Sequence, residues 1–516
     1  MNPAVQRIVR PAVQVAAAPG RRVVFPRPTA LAALLATGPA LAGWWADSPV
    51  LLWLGFPAAL WLAFVSAESL VTILTVTTPT FPVIRLADDM VGAKRVSTKG
   101  MFFAADDPLI AALFVAWLWK RMSRREAASP GYPSALAGLI LLYPAVLLIN
   151  AARLDWAQMT VSGLYYFKWL QYAFLCIAVP QLLEGASPGM VVKSVRRAAW
   201  IALAASGGFA VYESLMAIRT GSYTIAASIP RASAFFGSLD PTRYGASEDP
   251  VNFGIWAMVA GSIALAGAGQ SGRRLSASAA TGLLAAITAL LLSASRAPWL
   301  AAAGAFIRIQ RIRSARLVVA GVVCLSFGVT TWAALPDLWD TTIGRFKLLG
   351  EGRDSSEGSA IDRMVIAMNS PVFQFDQFWL TGHGHSSYRF IAEAHLASIT
   401  GGVSRSLYNF LLTVWYDAGV AGIVLWILLF LQLSGRFKSI ARHNPDSRVR
   451  SLATGLRGAL DGLAIASMFG EAPYNWRVMG FFYLLTGVCL AGERALSRPP
   501  APPGAWIVGW GRSCRR

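Results

Sequence analysis

Four arginines make the sharpest chemical suggestion in this chain. Arg231 and Arg363 lie in its two longest polar stretches, about 218–250 and 336–404; Arg296 stands at the end of an apolar run in Leu-Ser-Ala-Ser-Arg-Ala-Pro-Trp, and Arg405 opens another. A guanidinium is a planar fork of N–H donors that matches phosphate oxygens, so four of them at one level suit a phosphate or pyrophosphate ligand. Snorkelling at a membrane boundary and loop ion pairs are the alternative reading of the same residues. Three of the four histidines share the second polar stretch: His383 and His385 in Gly-His-Gly-His, and His395. An imidazole accepts a proton near neutral pH, so each is a candidate base, with hydrogen bonding inside the loop as the alternative. The His-x-His spacing lacks further matched ligands and indicates no metal site. Charges within apolar runs are costly. Lys168 and Glu213 read as singletons, while Arg457 and Asp461, four apart, can pair on one helical face.

The elements that must position these groups are membrane helices. Of 516 residues, 55% are apolar and only 14% charged, unlike a soluble enzyme. A bilayer core about 30 Å thick takes roughly 20 apolar residues per helix. Such runs fall near 29–45, 48–66, 67–86, 105–119, 133–151, 161–183, 198–217, 251–267, 278–294, 297–307, 316–335, 405–433, 452–470 and 476–492. The third is rich in Thr and Pro and reads as broken or re-entrant. The expected fold is therefore all-α, a polytopic bundle of about 12–14 spans. It divides into a basic, disordered arm (1–28), a transmembrane bundle (29–335), a large external loop carrying short helices (336–404), C-terminal transmembrane helices (405–492) and a tail (493–516).

Charge placement sets the sidedness. The net charge is +20, and about 28 of the 46 Lys and Arg sit in seven short segments between apolar runs: 1–28, 120–126, 184–197, 268–277, 308–316, 435–451 and 493–516. That is the positive-inside pattern of a protein facing anionic membrane lipid. It leaves no basic soluble domain to bind nucleic acid. Fourteen crossings put both termini in the cytoplasm and both long polar stretches outside; the loop at 87–104 is external despite Lys94, Arg95 and Lys99. Four scattered cysteines without a CxxC read as apolar fillers.

Four segments, in order, resemble one family. They are RASAFFGSLDPTRYGASEDPVNFG (231–254), LLLSASRAPWLAAAGAF (290–306), IDRMVIAMNSPVFQFDQFWLTGHGHSSYRF (361–390) and YNFLLTVWYDAGVAGIVLWILLF (408–430). The set is similar to the O-antigen ligase and O-antigen polymerase group, integral inner-membrane glycosyltransferases with a C-type fold. The last segment resembles a signature span reading His-Asn-x-aromatic-Leu, then an acid, then Gly-x-x-Gly. Aligning Asn409 and Asp417 with that pattern puts Tyr408 where the family's His stands. A phenol with a pKa near 10 is a poor base.

The resemblance implies a reaction at the periplasmic face. A glycan on undecaprenyl pyrophosphate passes to an acceptor, either another lipid-linked repeat (polymerase) or lipid A-core (ligase). No cofactor, metal or nucleotide sugar is implied, and other polysaccharide-assembly proteins are expected partners. Arg296, Arg363 and Arg405, supported by Arg231, would hold the pyrophosphate. Tyr408 and Asn409 would lie at the acceptor side, with His383, His385 or His395 as base. Repeat-unit polymerisation is the first expectation and ligation the second. A transporter or flippase of lipid-linked sugars is the alternative from another class; it would place its charged residues along a central cavity.

Overall fold

The computed structural model describes residues 27–46, 48–80, 106–123, 131–152, 156–220, 250–268, 277–293, 296–310, 379–385, 409–470 and 472–497, together with Leu154 and four short strands between 83 and 104. The expected span at 316–335, nearly all of the arm, most of the 336–404 stretch and most of the tail lie outside these residues. The fold is helical. In chain order the helices are α1 (Arg27–Trp45), α2 (Pro49–Trp53), α3 (Phe56–Val65), α4 (Ala67–Thr80), α5 (Asp107–Ser123), α6 (Ser134–Ile149) and α7 (Trp156–Leu182). They continue with α8 (Pro188–Thr220), α9 (Pro250–Ala268), α10 (Ala277–Leu292), α11 (Arg296–Gln310), α12 (Phe410–His443), α13 (Ser447–Ser467) and α14 (Trp476–Ser497).

Every expected span within the described residues thus coincides with helix, with two corrections. The run at 48–66 is two helices, because Gly55 and Pro57 break it and a fresh helix starts where the Ala59 N–H donates to the Gly55 carbonyl (3.0 Å). The run at 67–86 stops at Thr80, where Pro79 and Pro82 end the supply of N–H donors. Beyond it, Val83–Arg85 pairs antiparallel with Phe102–Ala104, and Met90–Val91 with Lys94–Arg95. The loop expected at 87–104 therefore carries short strands, where the other described elements are helical.

Two of the described helices are long and apolar enough to cross a membrane: the stretch Val251–Ala268 in α9 and Phe410–His443. Packing inside the bundle depends on small residues. Gly455, Gly458 and Gly462 line one face of α13, and a Cβ at each would come within 2.8 Å of Ile263 Cα, 2.6 Å of Ile309 Cγ1 and 2.6 Å of Met258 Sδ respectively. Such stripes let helix backbones approach closely, as in membrane bundles. Across the same seam Arg308 Nε meets Asp461 Oδ2 at 2.9 Å. The partner expected for Asp461, Arg457 on its own helix, is thus joined by a cross-helix one. The outward faces stay apolar, with Leu34, Phe64, Leu141, Leu148, Ile307 and Leu431 all exposed. An apolar exterior on this scale calls for lipid or a partner rather than water.

The two ends of the bundle differ in charge. At one end, Lys120 and Arg494 reach Glu184 (3.9 and 3.4 Å), Arg436 reaches Glu493 (3.8 Å) and the Gly131 carbonyl (2.8 Å), and Asn444 donates to the Gly492 carbonyl (3.1 Å). Four of the seven basic segments therefore meet at one end. Asp107, thirteen residues before Lys120 on α5 and so roughly 20 Å along the helix, marks the other.

Candidate functional site

The site at that second end forms where α12 bends. Gly419 has φ 63° and ψ −163°, which breaks the helix after Ala418. Positive φ suits glycine. Space requires it too, since a Cβ here would lie 2.0 Å from the Leu380 carbonyl oxygen. A bend leaves backbone groups without helical partners, and buried ones must find others. The segment 379–385 supplies them. His383 N–H donates to the Tyr416 carbonyl (2.7 Å), Gly384 N–H to the Asp417 carbonyl (2.8 Å), and Val420 N–H to the Trp379 carbonyl (3.0 Å). Gly382, with φ 67°, lets the segment turn against Ala418; a Cβ on it would fall 2.4 Å from the Ala418 nitrogen. Asn150 at the end of α6 donates to the Gly382 carbonyl (3.0 Å) from the other side.

This docking brings His385 and Asp417 together. His385 Nδ1 lies 3.6 Å from Asp417 Oδ2, with the residues 4% and 0% exposed. Aromatic rings enclose the imidazole: Tyr143 and Tyr474 meet it edge-on at 4.7 and 4.9 Å between centroids, and Trp169 lies at 6.3 Å. Behind them, Trp426 Nε1 donates to the Tyr143 hydroxyl (2.9 Å), which pairs with the Tyr474 hydroxyl (2.8 Å). Burial above all, then the neighbouring Tyr143 and Asp417, raises the Tyr474 phenol well above its ordinary value. Tyr474 therefore stays neutral at any physiological pH. At this depth the His385–Asp417 pair braces the segment against the helix. His383 takes another part: its ring stacks on Tyr416 (5.9 Å), with Nδ1 3.1 Å from the Tyr416 carbonyl.

A charged cluster adjoins the cage through Trp169, Tyr172 and Trp476. Lys168 binds Asp107, which also accepts from Gln171 Nε2 (2.7 Å) and the Ala104 N–H (2.9 Å). Tyr172 donates to Asp106 (3.3 Å), and Trp476 lies between Lys168 (5.6 Å) and the buried Arg477 (4.7 Å). Lys168 is thus half of an ion pair, and its partner lies 61 residues away.

The other expected site residues are placed unevenly. Asn409 is the N-cap of α12: its Oδ1 accepts from Leu411 N–H (2.9 Å) and Leu412 N–H (3.2 Å), and its Nδ2 approaches the Met468 carbonyl (3.4 Å). That role explains an Asn before an apolar helix without any substrate. Arg296 opens α11. Its side chain lies outside the described residues, as do Arg231, Arg363, Arg405, Tyr408 and His395. Tyr143, Tyr166, Trp169, Trp426 and Tyr474 were absent from the sequence expectation. Aromatic residues inside apolar runs give no local sign that they converge on one imidazole.

No curated protein matches the chain. Residues 281–427 match the family model described as O-antigen ligase. The matched stretch holds the start of α11 with Arg296, the docked segment with His383 and His385, and the bend of α12 with Asp417 and Gly419. It also takes in Arg363, His395, Arg405, Tyr408 and Asn409, and leaves out only Arg231 among the expected site residues. Over residues 281–427, then, the chain is similar to the O-antigen ligase family, in agreement with the resemblance read from its sequence.

Proposed function

We propose that this protein is an inner-membrane glycosyltransferase that moves a glycan from undecaprenyl pyrophosphate to an acceptor sugar at the periplasmic face. The observation that carries the reading is the O-antigen ligase match over 281–427, which covers three of the four arginines assigned to the donor. Membrane insertion is supported by the two long apolar helices, the apolar exterior and the gathering of basic segments at one end. Beyond its bend α12 runs from Val420 to His443, roughly 36 Å at 1.5 Å per residue, enough to cross the hydrocarbon core. The bend and its docked segment then fall at the outer boundary, and the basic end at the cytoplasm. Both termini are cytoplasmic on this reading, and the bundle has about 12–14 spans.

In the transfer, the acceptor hydroxyl attacks the anomeric carbon, the bond to the pyrophosphate oxygen breaks, and the proton goes to a base on the outer loop, for which His383 and His395 are the candidates while His385 braces the docked segment. Arg296, Arg363 and Arg405, with Arg231 in support, stabilise the charge gathering on the leaving pyrophosphate, an electrostatic term that supplies much of the rate in such reactions. Tyr408 and Asn409 lie at the acceptor side. Neither a cofactor nor a nucleotide sugar takes part.

The first reading of the acceptor is another lipid-linked repeat, because Tyr408 stands where the ligase pattern has His. Transfer to lipid A-core is the second. Arg296→Gln and Arg363→Gln test the donor site. Each is expected to lower polymer yield on the order of 10²-fold, the loss typical of removing one transition-state donor. Unchanged polymer amount and length at normal protein level would overturn the assignment.

A further inference from the structure

At the basic end of the bundle, some basic side chains fasten helices together through carboxylates and others form no ion pair among the described residues. Lys120, Arg436 and Arg494 use Glu184 and Glu493 to fasten helices together. The carboxylate of Asp446 is the N-cap of α13, accepting from the Arg448 N–H (2.8 Å). The first turn of α8 abuts that cap, since a Cβ on Gly189 would lie 1.8 Å from Asp446 Oδ2. This contact holds the start of α8 against the start of α13 and leaves Arg196 of α8 near Arg448 of α13. Among the described residues, neither Arg196 nor Arg448 forms an ion pair.

Arg196 is built into place rather than loose in solvent. Its guanidinium lies over the Trp200 ring at 5.0 Å and packs on α9, where a Cβ on Gly267 would come within 2.8 Å of Cζ. Burial first, and the nearby Arg448 second, lower the pKa of Arg196 from its ordinary value. Two like charges held together, one of them half-buried, cost free energy that an anion between them removes.

We propose that Arg196 and Arg448 form a binding site for the phosphate of an anionic phospholipid headgroup in the inner leaflet. Two guanidinium forks match phosphate oxygens. The apolar outer faces of the helices give acyl chains a surface to lie along. Clusters of basic side chains at this level are where such headgroups bind. The site is at the opposite end of the bundle from the proposed transfer chemistry and takes no part in it.

The test uses the full-length protein in neutral detergent, titrated separately with phosphatidylglycerol, phosphatidylcholine and inorganic phosphate, with occupancy read by native mass spectrometry. Phosphatidylglycerol is expected to bind in preference. The double variant Arg196→Gln/Arg448→Gln is expected to weaken that binding roughly tenfold or more, at the usual contribution of two basic residues near anionic lipid. Arg121→Gln, which removes a charge stacked on Trp117 at the same end, should leave it unchanged. Should the double variant fail to fold, the exposed Arg448→Gln alone is read, with an expected loss of roughly threefold or more. Equal binding of phosphatidylcholine, or undiminished binding by the variants, would overturn the proposal. Full competition by inorganic phosphate at equal concentration would reassign the site to a free anion. Binding is read without glycan transfer, so failure here leaves the proposed activity standing, and an inactive protein that still binds lipid leaves this site standing.

Discussion

His385 and Asp417 face each other at 3.6 Å in the interior of the junction between the docked segment and the bend of α12. The contact spans 32 positions of sequence and fixes the segment against the bend, at the end of the bundle away from the basic segments. Removing the carboxylate takes away the charged group beside a buried imidazole and two buried phenols. Asp417→Ala is therefore expected to cost about 1–3 kcal/mol of stability, measured as a drop in melting temperature in detergent, and His385→Ala a similar amount. A bracing pair predicts that activity and stability fall together. If His385→Ala abolished transfer at an unchanged melting temperature, the imidazole would be the base itself and not the brace.

Tyr474 makes the same junction sensitive to alkali. Burial raises its folded pKa well above the ordinary value, so folding favours the protonated phenol. That contribution is fully present below about pH 10, the unfolded pKa of tyrosine, and is lost as pH rises above it towards the folded value. Melting temperature should hold steady from pH 6 to 9 as far as this group is concerned and fall above about pH 10. Tyr474→Phe should flatten the alkaline fall while losing roughly 1 kcal/mol from the broken hydroxyl pair with Tyr143. An alkaline limb identical in both proteins would remove Tyr474 from the account.

Close helix approach supplies a prediction remote from the site. A side chain on Gly455 would meet the backbone of α9, with Ile263 Cα at 2.8 Å and the Ser262 carbonyl oxygen at 3.0 Å. Neither can rotate aside. Gly455→Val should push α13 off α9 and cost about 1–3 kcal/mol or more, read as lowered thermal stability and reduced protein in the membrane. Gly435→Ala is the control, because nothing lies within 4 Å of a Cβ there. Equal effects at both positions would show that the stripe does not set the spacing.

How much of this was legible in the chain depends on the range of the interaction. Apolar runs placed the helices, because burial along 15 or 20 residues is a local property of sequence. Pro79 and Pro82 flagged the run at 67–86 as irregular, and the helix does end at Thr80. The docking of 379–385 on α12 was half visible: Gly-His-Gly-His and Asp-Ala-Gly were both singled out, yet nothing in either said that they touch. The pairing of Lys168 with Asp107 was invisible for the same reason, and Asp461 reaches Arg308 across helices as no rule of local spacing would suggest. Asn409 shows the opposite case: besides the acceptor-side role proposed for it, it caps α12, and that capping was already written in an Asn ahead of Phe-Leu-Leu.

The central claim is that this chain works on a glycan carried by undecaprenyl pyrophosphate, and a strain lacking its gene tests that most directly. Surface polysaccharide is profiled on a gel while lipid-linked intermediates are extracted in parallel. The account predicts loss of the polymer with single repeats accumulating on the carrier; full-length chains stranded there would instead select transfer to lipid A-core. Unchanged polymer and unchanged lipid-linked precursors would contradict the claim.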